Sequence, residues 1–176
     1  MTLPAELREQ VRRRANFACQ YCGVTETDAG GPLTVDHFRP RAHGGTDDLN
    51  NLLYCCHRCN LYKADYWPTR PTDPPLWNPL QGPIGTHLLL LADGTLHPIT
   101  PTGIFSLRRL RLNRPPLSAN RLRGLAQAER QRLLGRHREI VELLERLRRL
   151  QVALLEEQRA LLEEEKALLA ALLKSG

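Results

Sequence analysis

The chain has 176 residues and a formal net charge of +6, a length that suits one small domain with an appendage. Its first residues contain no apolar segment of signal-peptide length, and no apolar run approaches the roughly 20 residues needed to cross a bilayer. These features argue against an integral membrane protein, and we expect a soluble cytoplasmic protein with no membrane partner.

Positive charge is concentrated between residues 104 and 150. Thirteen arginines and four glutamates give this stretch a net charge of +9, which exceeds the +6 of the whole chain. A basic field of this size attracts polyanions, and nucleic acid is the commonest polyanion in a cell. A solvated helix face is the alternative interpretation. Aromatic residues make up only 5% of the chain, so base stacking is not an obvious binding mode.

The first predicted element is a short amphipathic helix over residues 3–15. Leu7 and Val11 lie four residues apart, which places them on one face of a helix. Thr2 has the side chain of a helix N-cap, and basic residues at the other end complement the helix dipole. The sequence therefore predicts an amphipathic helix with a basic C-terminal end.

Two Cys-x-x-Cys pairs predict a metal centre. Thiolates three residues apart can bind one ion from a tight turn, and four of them complete a tetrahedral shell with no open position. We therefore expect a structural Zn²⁺, with four buried free thiols as the alternative, and the fifth cysteine, Cys55, in the core. An odd number of cysteines also fits metal ligation in a reducing compartment better than disulfides. The predicted ligands are Cys19, Cys22, Cys56 and Cys59.

The residues between the cysteine pairs predict a strand, a turn and a second apolar segment. Residues 33–35 alternate like a strand and lead directly to Asp36 and His37. Gly44-Gly45 then turns the chain, and an apolar run over residues 49–54 packs the hairpin. The strand therefore delivers an acid and a histidine to one end of a small sheet.

A helix is predicted over residues 60–65, directly after the second cysteine pair. Asn60 and Lys63 are three residues apart and share one face of this helix. The resulting order is strand, turn, strand and helix, with Asp36 and His37 facing Asn60.

Residues 17–63 resemble the HNH endonuclease family of ββα-metal nucleases, in the subtype that is braced by four cysteines. One position departs from the family name, because Asn60 stands where the last His is expected, which makes an H-N-N variant. Asn at this position also occurs in HNH domains of CRISPR effector nucleases. The family pattern is carried, in chain order, by Cys19/Cys22, Asp36-His37, Gly44-Gly45, Asn51-Leu52, Cys56/Cys59, Asn60 and Lys63.

The resemblance implies an α+β fold with a ββα-metal core and a metal-dependent hydrolysis of DNA phosphodiester bonds. His37 is the expected general base, since its ordinary pKa suits proton transfer near neutral pH. Asp36 and Asn60 are the expected oxygen ligands of Mg²⁺ or Mn²⁺, and Asn51 is expected to hold the His37 loop. The alternative is a zinc module that binds nucleic acid without cutting it. The expected phosphate contacts are Lys63, Arg39 and Arg41.

The middle of the chain is predicted to wrap the core. Residues 67–83 are rich in proline, and we expect Leu76 and Trp77 to anchor them. An extra β-hairpin turns at Asp93-Gly94, and a short helix follows over residues 102–113. Further predicted nucleic-acid contacts on this helix are Arg108, Arg109 and Arg111.

A long helical arm is predicted after Pro115-Pro116, with a helix of some 35–40 residues. Its apolar residues repeat every seven positions, but the stripe drifts, so the arm has coiled-coil character without an ideal zipper. The stripe predicts a homodimer or a partner protein, and packing back on the core is the alternative. The repeat comprises Ile140, Leu147, Leu154, Leu161 and Leu168. The predicted domains are residues 1–66, 67–114 and 115–176.

Overall fold

The computed structural model describes residues 3–174 and separates the chain into two units, residues 1–125 and 126–176. Both predicted architectural features are present, since a mixed α and β unit precedes a long C-terminal helix. The elements are α1 (Ala5–Arg14), α2 (Glu26–Ala29), β1 (Thr34–His37), β2 (Leu52–Cys55), α3 (His57–Lys63), β3 (Leu88–Leu90), β4 (Leu96–Pro98), α4 (Pro101–Arg109) and α5 (Pro115–Lys174). Short 3₁₀ turns lie at Arg41–His43, Leu49–Asn51 and Ile84–Thr86.

The predicted ββα order is confirmed in β1, β2 and α3. The two strands pair antiparallel, with Thr34 opposite Cys55 and His37 opposite Leu52. Every residue of β2 is buried, whereas β1 is only partly covered. The pairing therefore places His37 at the end of the two-stranded sheet where the connection over residues 38–51 begins, next to a buried strand.

Helix α3 begins earlier than predicted. It starts at His57 instead of residue 60, because Cys56 acts as its N-cap and its sulfur accepts a hydrogen bond from the Cys59 amide at 3.5 Å. It ends at Lys63, and the next residue, Ala64, has a positive φ of 50° that cannot continue a right-handed helix. Of the second cysteine pair, Cys56 is therefore the N-cap and Cys59 lies within the first turn of the helix.

Helix α1 covers the other side of β2. Val11 is fully buried with Leu52 and Tyr54 in a small second core, and Leu7 packs against it. The predicted helix is thus confirmed over residues 5–14, while its predicted cap, Thr2, lies outside the described residues.

The proline-rich segment shares one core with the ββα unit, as its anchors predict. Leu76 and Trp77 are buried in the cluster that contains the cysteines, and the Trp77 ring meets Tyr21 edge-on at a centroid distance of 6.2 Å. The Trp77 amide donates a 2.8 Å hydrogen bond to the buried hydroxyl of Ser106 on α4. Residues from 67 to 114 therefore complete the core that positions the site.

The short helix after the hairpin is also displaced from its prediction. Thr100 caps α4 by accepting a hydrogen bond from the Gly103 amide at 3.0 Å, so the helix starts at Pro101. It ends at Arg109, and Arg111 has a φ of 49°. A left-handed residue cannot continue the helix to residue 113, and a tight turn instead leads to Pro115.

Helix α5 has 60 residues, more than the 35–40 predicted. Its start belongs to the first unit, where Leu117 is buried and Arg121 donates a 2.7 Å hydrogen bond to the Gly94 carbonyl. From residue 126 onward the described side chains are exposed, including Leu147 and Leu154. Within residues 3–174, no helix is both long and apolar enough to pass through a membrane.

Two helical glycines allow a matched test of this packing. A Cβ added to Gly103 would lie 2.1 Å from the His87 carbonyl oxygen, whereas a Cβ added to Gly124 would meet no atom within 4 Å. We expect Gly103→Ala to lower the free energy of unfolding by about 1–3 kcal/mol through overpacking. Gly124→Ala should raise it by about 0.5–1 kcal/mol, because alanine is the better helix former. Urea denaturation measures the free energy of unfolding of both variants. Equal midpoints for the two variants would contradict the close approach of Gly103 on α4 to the His87 carbonyl.

Candidate active site and metal centre

The two cysteine pairs converge on one point. All four sulfurs lie within 4.8 Å of one another, and the Sγ atoms of Cys22 and Cys56 are 3.7 Å apart. Zinc with Zn–S bonds of about 2.3 Å in a tetrahedron requires sulfurs about 3.8 Å apart. The described cluster therefore suits a structural zinc ion held by Cys19, Cys22, Cys56 and Cys59.

A cation that the sequence did not single out contacts this cluster. Nη2 of Arg114 lies 4.0 Å from the sulfur of Cys22, 3.9 Å from that of Cys56 and 3.7 Å from that of Cys59. Four thiolates around Zn²⁺ carry a net charge of −2, which a guanidinium at this distance partly neutralises. Arg114 is therefore well placed to stabilise the metal-bound state of the site.

The fifth cysteine is a core residue, as predicted. Cys55 is fully buried on β2, and it does not belong to the four-sulfur cluster of the described residues. Burial raises the pKa of its thiol. Cys55 thus remains a neutral thiol that packs the sheet.

His37 is paired with a carboxylate. Its Nε2 lies 2.8 Å from Oδ1 of Asp47, and Nη2 of Arg41 lies 2.7 Å from Oδ1 and 2.6 Å from Oδ2 of the same carboxylate. Hydrogen bonds, first from Arg41 and then from His37, lower the pKa of Asp47. An ionised carboxylate only accepts hydrogen bonds, so Nε2 of His37 carries a proton and Nδ1 of the neutral ring keeps its lone pair.

Asn51 fixes the loop that follows His37. Its Oδ1 accepts a hydrogen bond from the Arg39 amide at 2.8 Å, and its Nδ2 donates to the carbonyls of Arg39 at 3.1 Å and Thr46 at 2.8 Å. Gly45 makes room for this arrangement, because a Cβ there would lie 1.8 Å from the Arg39 carbonyl oxygen. The Gly-Gly turn and the Asn of the sequence pattern are therefore parts of one loop clamp.

Lys63 is buried beneath the site instead of facing solvent. Its side chain is 0% exposed, and its Nζ donates hydrogen bonds to the carbonyl oxygens of His37 at 2.7 Å and Ala64 at 3.4 Å. The same ammonium lies 3.0 Å from Oδ2 of Asp36. The predicted phosphate contact of Lys63 does not fit this position, because a fully buried ammonium cannot reach a bound nucleic acid.

Asp36 has the type of oxygen that a divalent ion prefers, but its carboxylate lies next to the ammonium of Lys63. Its Oδ2 is buried and lies 3.0 Å from the Lys63 ammonium. Burial raises the pKa of Asp36, and the opposing effect of Lys63 favours the ionised form. Asn60 lies one turn before Lys63 on α3, and so on the helix face that meets Asp36. The oxygen donors suit Mg²⁺ or Mn²⁺, and their role as ligands stays a prediction.

The two predicted phosphate contacts in the loop already have protein partners. Nε of Arg39 donates a 2.6 Å hydrogen bond to the His43 carbonyl, and its guanidinium carbon lies 5.2 Å from the centroid of the Trp67 ring. Arg41 binds Asp47 as described above. Both side chains are exposed, so their contact with phosphate stays a prediction.

The predicted contacts on α4 and in the turn after it differ in their surroundings. Arg109 donates a 2.9 Å hydrogen bond to the Lys63 carbonyl, which joins α4 to α3. Arg108 is exposed, and the exposed Arg111 places its guanidinium carbon 4.8 Å from the centroid of the Tyr62 ring. Arg109 therefore has a structural role, whatever else it contacts.

Comparisons with known proteins agree with this geometry. Residues 19–65 match the family model described as HNH endonuclease. A stretch of 100 residues is 33% identical to the CRISPR-associated endonuclease Cas9 of Corynebacterium diphtheriae, and the match covers 56% of this chain but only 8% of that protein. No solved structure gives a significant match. Residues 19–65 therefore contain an HNH endonuclease domain, and the four-cysteine cluster indicates its zinc-braced subtype.

The two classes of cysteine predict opposite results for metal content. We expect one zinc ion per chain in the purified protein, lost in Cys59→Ala because three thiolates leave the shell open. Cys55→Ala should keep the zinc and lose only about 1 kcal/mol of stability from the removed buried sulfur. Metal analysis by mass spectrometry and thermal denaturation test both variants. Retention of a full equivalent in Cys59→Ala would contradict the assignment.

Proposed function

We propose that the HNH domain at residues 19–65 makes this chain a metal-dependent endonuclease that hydrolyses phosphodiester bonds of DNA. The observation that carries the proposal is the pairing of His37 with the ionised Asp47 at the end of a ββα fold where the two strands are connected. The similar Cas9 is itself described as an endonuclease. A nuclease is therefore the activity that the domain supports best.

His37 has the arrangement of a general base. Asp47 holds Nε2 and orients the ring, so Nδ1 is available to take a proton from water. The backbone on either side is fixed, because Lys63 holds the His37 carbonyl and Asn51 clamps the following loop. A fixed base loses little freedom when it reacts, which favours proton transfer.

The divalent ion of the proposed reaction would be held by Asp36 and Asn60. A hard cation there would polarise a phosphate oxygen and stabilise the charge on the leaving oxygen. The support for this role is the chemistry of the donors, because carboxylate and amide oxygens are the ligands that such hard cations prefer.

A basic cleft next to His37 supports nucleic acid as the substrate. The cleft runs along β1, and its charged lining comprises Arg8, Arg12 and Arg41 together with one carboxylate, that of Glu9, which pairs with Arg12. The excess of cations over carboxylates in this lining favours a phosphate backbone. DNA as the polymer, and the strand that is cut, belong to the proposal.

A zinc module that binds nucleic acid without cutting it is the second candidate. One specific observation favours it, because Nζ of Lys63 lies 3.0 Å from Oδ2 of Asp36 and already provides that carboxylate with a positive partner. A buried lysine at this distance opposes a second cation. The cleavage experiment below separates the two candidates.

The second unit is proposed to pair with a second copy of the chain. Its leucines are exposed along one helix, including Leu147, Leu154 and Leu161, and such a stripe is stable in water when covered. Residues 126–150 contain seven arginines and four glutamates, whereas residues 151–174 contain five glutamates and three basic residues. An antiparallel pair sets the basic part against the acidic part, which supports a homodimer with coiled-coil character.

Cleavage of supercoiled plasmid tests the activity. We expect the purified chain with Mg²⁺ or Mn²⁺ to convert the plasmid to nicked or linear DNA, and not without added divalent metal. His37→Ala should lower the rate by on the order of 10²-fold or more, because it removes the proposed base. Electrophoresis of time courses measures the rate. An unmodified protein that binds the plasmid without cutting it under either metal would favour the zinc module.

Two adjacent carboxylates give a matched control for the base. Asp47→Asn should reduce the cleavage rate by on the order of 10-fold or more, because an amide can also donate to Nε2 and so no longer holds His37 in the tautomer that leaves Nδ1 free. Asp48→Asn should leave the rate close to the unmodified value, since Asp48 accepts a hydrogen bond from Thr46 and not from His37. Similar cleavage rates for both variants would contradict the assignment of Asp47 as the partner of the base.

Light scattering coupled to size-exclusion chromatography tests the pairing of α5. The chain has a mass of 20.0 kDa, so a dimer is expected at about twice that value. Leu147→Gln/Leu154→Gln should shift the mass toward the monomer, because it removes apolar surface from the stripe. Gln151→Ala/Gln158→Ala is the matched control on the same helix and should remain dimeric. A monomeric unmodified chain would rule out pairing with a second copy.

A further inference from the structure

Three arginines converge on one tyrosine at the surface of the first unit. The guanidinium carbons of Arg111 and Arg114 lie 4.8 Å and 5.6 Å from the centroid of the Tyr62 ring. Arg58 lies one turn before Tyr62 on α3, on the same face. A hydrogen bond from Arg58, together with the charges of the other two, lowers the pKa of the tyrosine hydroxyl. The cluster is therefore a compact region of positive charge.

The charge of this cluster is not balanced by carboxylates. Among the described residues, no ion pair within 4.0 Å joins an acidic group to Arg58, Arg111 or Arg114. The guanidinium of Arg114 instead contacts the cysteine sulfurs of the metal centre. Arg58 and Arg111 are exposed, so two guanidiniums remain available to an external anion.

The turn that carries Arg111 is held rigidly. Leu110 and Leu112 on either side are fully buried, and the Leu112 amide donates a 3.0 Å hydrogen bond to the Leu107 carbonyl. Arg111 has a φ of 49°, a left-handed conformation that is unfavourable for a residue with a side chain. The core therefore fixes this backbone so that the side chain reaches Tyr62.

We propose that Arg58, Tyr62 and Arg111 form a binding site for one backbone phosphate of a nucleic-acid duplex. Two guanidiniums offer several hydrogen-bond donors in planar forks that suit phosphate oxygens, and the tyrosine hydroxyl adds another donor. The site deepens the proposed function, on which its assignment to nucleic acid rests. A contact of this kind positions the duplex without reading its sequence.

The neighbouring arginines of this region have different roles. Arg111 contacts phosphate, whereas Arg114 next to it neutralises the metal centre and Arg109 joins two helices. Arg58 lies on the helix that carries Asn60, so the site and the proposed catalytic residues share a rigid element. A phosphate bound here would therefore have a fixed position relative to α3.

Duplex binding tests the site. A fluorescein-labelled 20-base-pair duplex is titrated with the full chain in the His37→Ala background, without added divalent metal, over a range of salt concentrations. We expect Arg58→Gln/Arg111→Gln to weaken binding about tenfold and to reduce the slope of log Kd against log salt by about 0.9, the value for one phosphate contact. Fluorescence anisotropy gives both quantities.

Arg70→Gln/Arg159→Gln is the matched control, because it removes the same charge from exposed positions elsewhere. It should change the affinity less than twofold and leave the slope unchanged. Zinc content and thermal midpoint are measured for every variant, and both should equal those of the parent. Equal Kd values and slopes for the two double variants would overturn the proposal.

Further arms distinguish the alternatives. In one arm, inorganic phosphate is compared with chloride at matched ionic strength as a competitor. If phosphate competes better than chloride in the parent but not in Arg58→Gln/Arg111→Gln, while both proteins bind the duplex with equal affinity, then the ligand of the site is a free anion and not the duplex. Plasmid cleavage with unchanged duplex binding in the double variant would refute this site and leave the endonuclease intact. Loss of binding in the double variant of a chain that does not cleave plasmid would support this site and refute the endonuclease.

Discussion

The convergence of four sulfurs is the constraint on which the first unit depends. Cys19 and Cys22 lie in the loop after α1, and Cys56 and Cys59 lie at the start of α3, so a bound metal ties the two ends of the ββ segment together. A core this small gains much of its stability from such a tie. Cys56 also caps α3, so metal binding and helix initiation occur at the same residue.

Lys63 provides a second tie at the other end of α3. Burying an ammonium is costly, and here the cost is offset by Asp36 and by the carbonyl of His37. Both partners belong to the last two residues of β1. The helix is therefore fixed at its start by the sulfurs and at its end by Lys63, and the strand between them holds His37 in a defined position. The proposed general base thus owes its fixed backbone in part to the buried ammonium of Lys63.

Local spacing predicted the elements, whereas the partners of individual side chains needed the fold. The cysteine pairs and the ββα order follow from short patterns, and the structure confirms both. Asp47 follows Gly-Gly, where an aspartate suits a turn, and nothing in the local sequence places it next to His37. The burial of Lys63 was missed for a similar reason, since a lysine at a helix end is ordinarily solvated. Arg114 contacts a sulfur 92 positions away in sequence, beyond any local pattern.

The contact of Arg114 joins the metal centre to the elements that follow it. Its guanidinium lies against three of the four sulfurs, and the next residue, Pro115, is the first of α5. The tight turn before it places Arg111 against Tyr62. Arg114 therefore faces the sulfurs, whereas Arg111 faces the solvent. If the thiolates lost their metal and became protonated, Arg114 would lose its anionic partner and add its charge to the exposed pair. The structural metal therefore sets the geometry of the proposed base, the start of the long helix and the charge of the surface proposed to meet nucleic acid.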